Sequence, residues 1–143
     1  MDFVTLYHVA AAEDLEAMRK HIDPGDNSGA QYGRGLYTFL NREDAERWQR
    51  VRAQLICQRT VIVEIRLPSG LWDRLRRRQV PKWYDWQVPA KWVTKRHYDV
   101  LEGYFAPTHG TQAMAGIGQV KFNPHMYGQL DEALVCPEEE DQW

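Results

Sequence analysis

The alternation of apolar and polar residues from position 60 to position 67 limits the fold of this chain more than any other feature. It places four aliphatic side chains on one face: Val61, Val63, Ile65 and Leu67. Glu64 and Arg66 on the other face indicate a strand that is buried on one side only. Pro68 ends it, because proline has no backbone N–H to donate. We therefore predict a strand over residues 60–67.

Other parts of the chain show shorter patterns of both kinds. Further strands are predicted over residues 3–8, 36–40, 98–106, 117–122 and 134–136. Helices are predicted over residues 11–21, from an Asn41 cap through Leu55, from a Ser69 cap through residue 78, and over residues 124–132. The strands are scattered between helices without regular βαβ spacing or an internal repeat. The predicted fold class is therefore α+β, not a doubly wound parallel sheet.

The composition is that of an ordinary globular domain. The 143 residues include 43% hydrophobic and 12% aromatic residues against 27% charged ones, so we expect one domain over residues 1–143. No run of about 18 apolar residues occurs, and we expect no membrane contact. Cys57 and Cys136 lie far apart in apolar surroundings. Buried free thiols are expected there, and not a disulfide or a zinc site.

Residues 72–96 form a basic segment that is rich in tryptophan. Its charge is +6, which leaves −8 for the rest of the chain, and it holds four of the six tryptophans: Trp72, Trp83, Trp86 and Trp92. Such a segment can contact phosphates and stack on bases. Alternatively, the tryptophans pack in the core and the arginines lie on a solvated face. The acidic tail, residues 137–143, is expected to be frayed.

Three short motifs combine glycines with aromatic and polar residues. They are Leu6-Tyr7-His8, Gly33-Arg34-Gly35-Leu36-Tyr37-Thr38 and Gly118-Gln119-Val120-Lys121-Phe122. Glycines let the backbone approach a ligand closely, and the aromatic rings can line a cleft for a flat cationic ring. Gly33 and Gly35 do not form a dinucleotide-binding fingerprint, because a third glycine is missing and the two glycines precede the strand.

Taken in order, these motifs resemble the His-Tyr branch of the ADP-ribosyltransferase superfamily, and within it small bacterial toxin or effector domains with Gln at the third position. The resemblance covers most of the chain and is carried by His8, by Tyr37 ahead of a helix with Ala45 and Trp48, and by Tyr98-Asp99-Val100 before Gln119. It implies split, mixed β-sheets with flanking helices and a central NAD cleft. NAD would be a co-substrate, and no metal is implied.

The resemblance also implies roles for individual residues. His8 would bind ribose hydroxyls, the Val9 backbone the nicotinamide amide, and Tyr37 the nicotinamide ring. Gln119 would lie near the ribose that is transferred, which makes His8, Tyr37 and Gln119 the catalytic set. The implied NAD-binding set is Tyr7, His8, Val9, Gly35, Tyr37, Thr38 and Trp48. Either Trp48 or Tyr32 would supply a second aromatic wall.

The sequence departs from the best-known transferases at position 119, where they have glutamate. A neutral amide can bind the ribose but cannot act as a general base. Three carboxylates are possible substitutes, although we expect each to be structural: Asp99, Glu102 and Glu132. Two outcomes stay open. Either the acceptor is already nucleophilic or activated elsewhere, or catalysis is weak or absent.

Four functions follow as hypotheses. The first is a mono-ADP-ribosyltransferase that modifies a protein or RNA, as a toxin or effector in the cytoplasm or delivered into a target cell's cytoplasm, with a possible cognate neutralising protein. The second is a module that binds NAD or ADP-ribose without transfer. The third is an RNA-binding domain that uses residues 72–96. An RNA 2′-phosphotransferase is disfavoured, because the necessary Arg and His phosphate ligands cannot be assembled.

Overall fold

The computed structural model describes residues 2–27, 30–81, 88–94, 96–106 and 111–136. Seven strands occur in this part of the chain: β1 (Phe3–Ala11), β2 (Leu36–Thr38), β3 (Thr60–Pro68), β4 (Arg77–Gln79), β5 (Val100–Tyr104), β6 (Gly118–Phe122) and β7 (Leu134–Val135). The α-helices are α1 (Leu15–Lys20), α2 (Arg42–Ile56), α3 (Ser69–Arg74), α4 (Lys91–Thr94) and α5 (Tyr127–Asp131). Short 3-10 helices span Ala12–Asp14, Gln112–Met114 and Pro124–Met126.

The strands form two sheets, and the α+β prediction is confirmed. One sheet has three antiparallel strands in the order β1-β3-β7, and the other has four strands in the order β2-β6-β5-β4. The second sheet is mixed, because β4 runs parallel to β5 whereas the other pairs are antiparallel. Helix α2 packs against β1 and β3.

The two sheets meet where β1 passes β2. Tyr7 and Phe39 form an isolated antiparallel pair, with Tyr7 N donating to Phe39 O at 2.9 Å and Phe39 N to Tyr7 O at 2.8 Å. One residue further along β1, the His8 side chain contacts the Tyr37 backbone. The sheets are therefore joined over a short distance, and His8 lies at the junction.

The predicted strand over residues 60–67 is the centre of the core. The four aliphatic residues of its inner face are at most 1% exposed. They pack against residues of both sheets, including Leu6, Leu36 and Phe122. Strand β3 thus buries the face that its alternation predicts.

The predicted helix over residues 69–78 is wrong in its second half. Helix α3 ends at Arg74, and residues 77–79 form β4 instead. The Asp99 carboxylate accepts a hydrogen bond from Arg76 N at 2.8 Å, and Arg76 O accepts one from Asp99 N at 2.8 Å. These contacts with a distant segment hold the backbone extended, and tertiary pairing overrides local helix propensity.

Three smaller expectations also change. Strand β1 continues to Ala11, because Ala12 N donates to Arg59 O, and the predicted helix over residues 11–21 is reduced to α1 after a 3-10 turn. The Asn41 side chain makes no capping hydrogen bond, although α2 begins directly after it. Cys57, which ends α2 in the left-handed conformation with φ 53°, is exposed, and Cys136 is only partly buried.

The basic segment is only partly described. Trp72 and Trp92 are buried, and Arg77 and Arg78 lie over their rings, each 4.5 Å from a ring centroid. These two tryptophans are core residues and cannot stack on bases. Trp83 and Trp86 lie outside the described residues, as does the acidic tail. In the part of the chain that the structure describes, no helix is long and apolar enough to cross a membrane.

We predict that Gly35→Ala lowers the free energy of unfolding by about 1 to 3 kcal/mol. A Cβ at Gly35 would lie 2.2 Å from Lys121 Cδ and 2.3 Å from Phe122 O. Gly128→Ala in α5 is the matched control, because a Cβ there meets nothing within 4 Å; we expect it to be neutral or stabilising by about 0.5 to 1 kcal/mol. Urea unfolding measures both, and equal stability of the two variants would contradict the packing.

Candidate functional site

A cleft of about 720 Å³ opens at the junction of the two sheets. This volume lies in the range of about 300 to 1,000 Å³ that is typical of small-molecule sites. Six of the predicted site residues line it: His8, Val9, Gly35, Tyr37, Trp48 and Gln119. The three residues predicted as catalytic come from β1, β2 and β6, and the structure brings them to one cavity.

His8 is buried and neutral. Its Nδ1 lies 2.7 Å from Tyr37 O, and because a carbonyl can only accept, Nδ1 carries the proton. Burial lowers the pKa of His8 to about 4, against a smaller opposing effect of the Tyr37 hydrogen bond. At neutral pH the other ring nitrogen, Nε2, therefore has a free lone pair and accepts hydrogen bonds.

The Tyr37 side chain is held by two hydrogen bonds of its hydroxyl group. The hydroxyl donates to Gly33 O and accepts from Tyr32 N at 2.9 Å. Burial raises the pKa of Tyr37 well above its usual value, so the phenol stays protonated. The ring stacks on Tyr32, with centroids 6.3 Å apart and planes at 28°. The half-buried Tyr37 ring is thus a fixed part of the cleft wall.

Gln119 is 4% exposed and belongs to a network of neutral amides. Its Nε2 donates to Gln31 Oε1 at 3.1 Å, and Gln31 Oε1 also accepts from Ala106 N at 3.0 Å. Gln31 lines the cleft but is not among the predicted site residues. Polarity alone does not single it out, because its partners lie more than 70 positions away in the sequence.

One face of α2 forms a second wall of the cleft. Trp48, Arg52 and Leu55 line it, at the spacing of one helix face. The Trp48 ring packs on Phe105, with centroids 5.3 Å apart and planes at 52°. Arg52 donates from Nη1 to Val9 O, and burial lowers its pKa from the usual value. Its position four residues after Trp48 is the signal in the sequence that would have found it.

Gly35 lines the cleft, and packing gives a second reason for a glycine at this position. Its backbone N–H and C=O are both paired with the Asn27 side chain, at 3.1 and 2.8 Å. The space that a Cβ would need is taken by Lys121. Asn27 also lines the cleft and is a further residue that the sequence does not single out.

Thr38 and Tyr7 are not among the residues that line the cleft, in contrast to the prediction. Of the two alternatives for a second aromatic wall, Trp48 lines the cleft and Tyr32 does not. The buried Thr38 hydroxyl donates to Val120 O at 2.8 Å, which is a contact within the sheet. Tyr7 has Arg42 over its ring, 5.8 Å from the centroid. Tyr32 is 1% exposed and packs in a hydrophobic cluster with Trp92 and Leu101.

The three alternative carboxylates also lie away from the cleft lining. Burial raises the pKa of Asp99, but hydrogen bonds from Arg76 and His125 outweigh this effect and lower it to about 2. Glu102 lies 3.7 Å from Arg77, and Glu132 is exposed. The carboxylates that do line the cleft, Asp14 and Asp23, come from the segments on either side of α1.

Comparisons with known proteins add nothing to this description: no family model, no curated protein and no solved structure matches the chain. Among the residues that the structure describes, no group of three or more His, Cys, Asp or Glu side chains is placed to hold a metal ion.

We predict that burial of neutral His8 makes the protein less stable at acidic pH. The folded pKa of about 4 lies below the ordinary value of 6.5, so the unfolded chain binds the proton more strongly, and stability is lost as pH falls from 6.5 towards 4. Urea unfolding at pH 7 and pH 5 should show a loss about 1 to 2 kcal/mol larger in the wild type than in His8→Asn, which does not titrate. Equal losses would contradict the buried neutral imidazole.

Proposed function

We propose that the chain is a mono-ADP-ribosyltransferase, which cleaves NAD between ribose and nicotinamide and transfers ADP-ribose to a macromolecule. One observation carries the proposal: His8, Tyr37 and Gln119, from three distant segments, line one cleft at the junction of the two sheets. Their order in the chain is the one that prompts the comparison with the His-Tyr transferases. Cleft volume and lining suit a dinucleotide with apolar and polar parts.

His8 suits the nicotinamide ribose. Its Nδ1 donates a hydrogen bond to Tyr37 O, so Nε2 is available to accept a hydrogen bond from a ribose hydroxyl. The imidazole stays uncharged at neutral pH. A neutral acceptor orients the sugar without adding positive charge beside the carbon that becomes cationic during cleavage.

Tyr37 suits the pyridinium ring. A cation over an aromatic face gains about 0.5 to 2 kcal/mol, depending on desolvation. The Tyr37 hydroxyl is held by the backbone of Tyr32 and Gly33, so little side-chain entropy is lost when a ring stacks on it. This attraction ends when nicotinamide leaves as a neutral molecule, which favours release of the product.

The Val9 backbone suits the nicotinamide amide. Backbone N–H groups two residues apart in a strand point to the same side. Tyr7 N points to Phe39 on the β2 side, and Val9 N therefore points to the same side. Val9 O accepts from Arg52 and has a second lone pair for a ligand. Arg52 also brings a positive charge to the cleft, where it can contact a phosphate.

The chemistry of the cleft restricts the acceptor. The electron pair of the bond between ribose C1′ and nitrogen leaves with nicotinamide, and a lone pair of the acceptor forms the new bond to C1′. Gln119 is not a base, and His8, with a pKa of about 4, is a weak one. An acceptor atom whose lone pair is unprotonated at neutral pH, in a protein or in RNA, needs no base from the cleft. An acceptor that must lose a proton would have to give it to one of the carboxylates that line the cleft, Asp14 or Asp23.

A second candidate function is a module that binds NAD or ADP-ribose without transfer. The amide at position 119 favours it, because a neutral side chain stabilises a developing positive charge less than a carboxylate does. The two candidates share the ligand and the cleft, and they differ in whether nicotinamide is released.

We predict that His8→Ala and Tyr37→Ala each lower the rate of nicotinamide release from labelled NAD by about tenfold or more. His8→Ala removes the hydrogen-bond acceptor for the ribose hydroxyl, and Tyr37→Ala removes the aromatic face for the pyridinium ring. Tyr7→Phe is the control. Because Tyr7 is not among the cleft residues, this variant should leave the rate of nicotinamide release unchanged.

The wild type decides between the candidates. Release that requires His8 and Tyr37 supports the transferase, whereas tight NAD binding without release supports the module. Absence of both binding and release would contradict the proposed NAD site. Incubation with labelled NAD and a bacterial lysate, followed by RNase or protease, then identifies the acceptor by the treatment that removes the label.

A further inference from the structure

Gln31 precedes β2 and connects the end of β5 to Gln119. Its Nε2 donates to Tyr104 O at 3.2 Å, and its Oε1 accepts from Ala106 N at 3.0 Å. The same Oε1 accepts from Gln119 Nε2 at 3.1 Å. Gln31 is half-buried and lines the cleft, so it joins the backbone of one strand end to a side chain of the proposed site.

The backbone fixes which end of the Gln31 amide faces Gln119. A flipped amide would place its NH2 group against Ala106 N–H and its oxygen against Tyr104 O. Two donors would then face each other, as would two acceptors, and both hydrogen bonds would be lost. The Gln31 oxygen therefore faces position 119. Because this oxygen can only accept, Gln119 must donate the hydrogen bond between them.

Tyr32 lies beside Gln119 and has no hydrogen to offer it. The Tyr32 hydroxyl donates its single hydrogen to Tyr104 O at 3.0 Å. Burial raises the pKa of Tyr32 to about 12, and the Gln119 side chain opposes this effect. An amide lowers the pKa of a phenol when its NH2 group faces the phenol oxygen. The nitrogen end of Gln119 is therefore on the side of Gln31 and Tyr32, and the oxygen of the amide is the group that remains for a ligand.

We propose that Gln31 is a positioning residue that turns the carbonyl oxygen of Gln119 towards the cleft, and that this network requires an amide at position 119. The inference rests on the proposed function. An oxygen in that position accepts a ribose hydroxyl, and its partial negative charge faces the carbon that becomes cationic. The opposite orientation would direct an NH2 group at that carbon and would oppose the reaction.

A simple expectation is that Gln119→Glu raises activity, because the best-known transferases have glutamate at this position. The arrangement around Gln119 predicts the opposite. A carboxylate at this position would face the acceptor Gln31 Oε1 and would lose the hydrogen bond that the amide makes to it. Introducing the glutamate of the best-known transferases should therefore lower activity at neutral pH.

Steady-state nicotinamide release tests the proposal with four variants: Gln31→Leu, Gln119→Leu, the double variant, and Gln119→Glu. We expect Gln31→Leu to lower kcat about tenfold, which corresponds to loss of one oriented hydrogen bond, with KM changed less than about twofold. Gln31→Leu should add no further loss in the Gln119→Leu background, because it acts through Gln119. Gln119→Glu should be slower than the wild type.

Gln49→Leu is the matched control. Gln49 also donates from Nε2 to a backbone carbonyl, that of Thr60 at 2.9 Å, but it is not among the cleft residues. It should leave kcat unchanged. Additive losses in the double variant, or a Gln119→Glu variant faster than the wild type, would overturn the proposal.

Side-chain amide NMR of the free protein tests the orientation without turnover. The Gln119 Nε2 proton that is bonded to Gln31 should exchange slowly with water in the wild type and rapidly in Gln31→Leu. Rapid exchange in the wild type would overturn the proposed orientation, even if the enzyme is active. Slow exchange in a wild type that releases no nicotinamide would retain the orientation and refute the transferase.

Discussion

The hydrogen bond from His8 Nδ1 to Tyr37 O is the contact on which the rest of the site depends. It joins β1 of one sheet to β2 of the other, next to the single pair between Tyr7 and Phe39. It also assigns the protons of the imidazole, because the carbonyl can only accept. A contact that joins the sheets thus also fixes the chemical character of the cleft, in which Nε2 is an acceptor at neutral pH.

The residues around this contact are mostly neutral and are held in fixed orientations. The Tyr37 hydroxyl is paired with backbone groups, and the Gln119 amide is paired with Gln31. Under the proposed function, these neutral residues would act through orientation and fixed dipoles, and not through proton transfer. An acceptor that must lose a proton would need one of the cleft carboxylates, Asp14 or Asp23, as its base.

Periodic patterns and short motifs predict a large part of this structure. The alternation at residues 60–67 predicts β3, and the motifs around His8, Tyr37 and Gln119 predict residues that do line one cleft. The failures involve contacts between distant segments. Strand β4 exists because Asp99 pairs with Arg76, and Gln31 meets Gln119 across 88 positions. A local pattern contains no information on such pairings.

The proposed NAD site is tested most directly by intermolecular nuclear Overhauser effects between NAD and the protein, with His8 and Tyr37 assigned. We expect the nicotinamide ring protons to give cross-peaks to the Tyr37 ring, and the adjacent ribose protons to give them to His8 Cε1–H. Cross-peaks to residues outside the cleft, or no cross-peaks in a large excess of NAD, would contradict the convergence of the three segments on one bound dinucleotide.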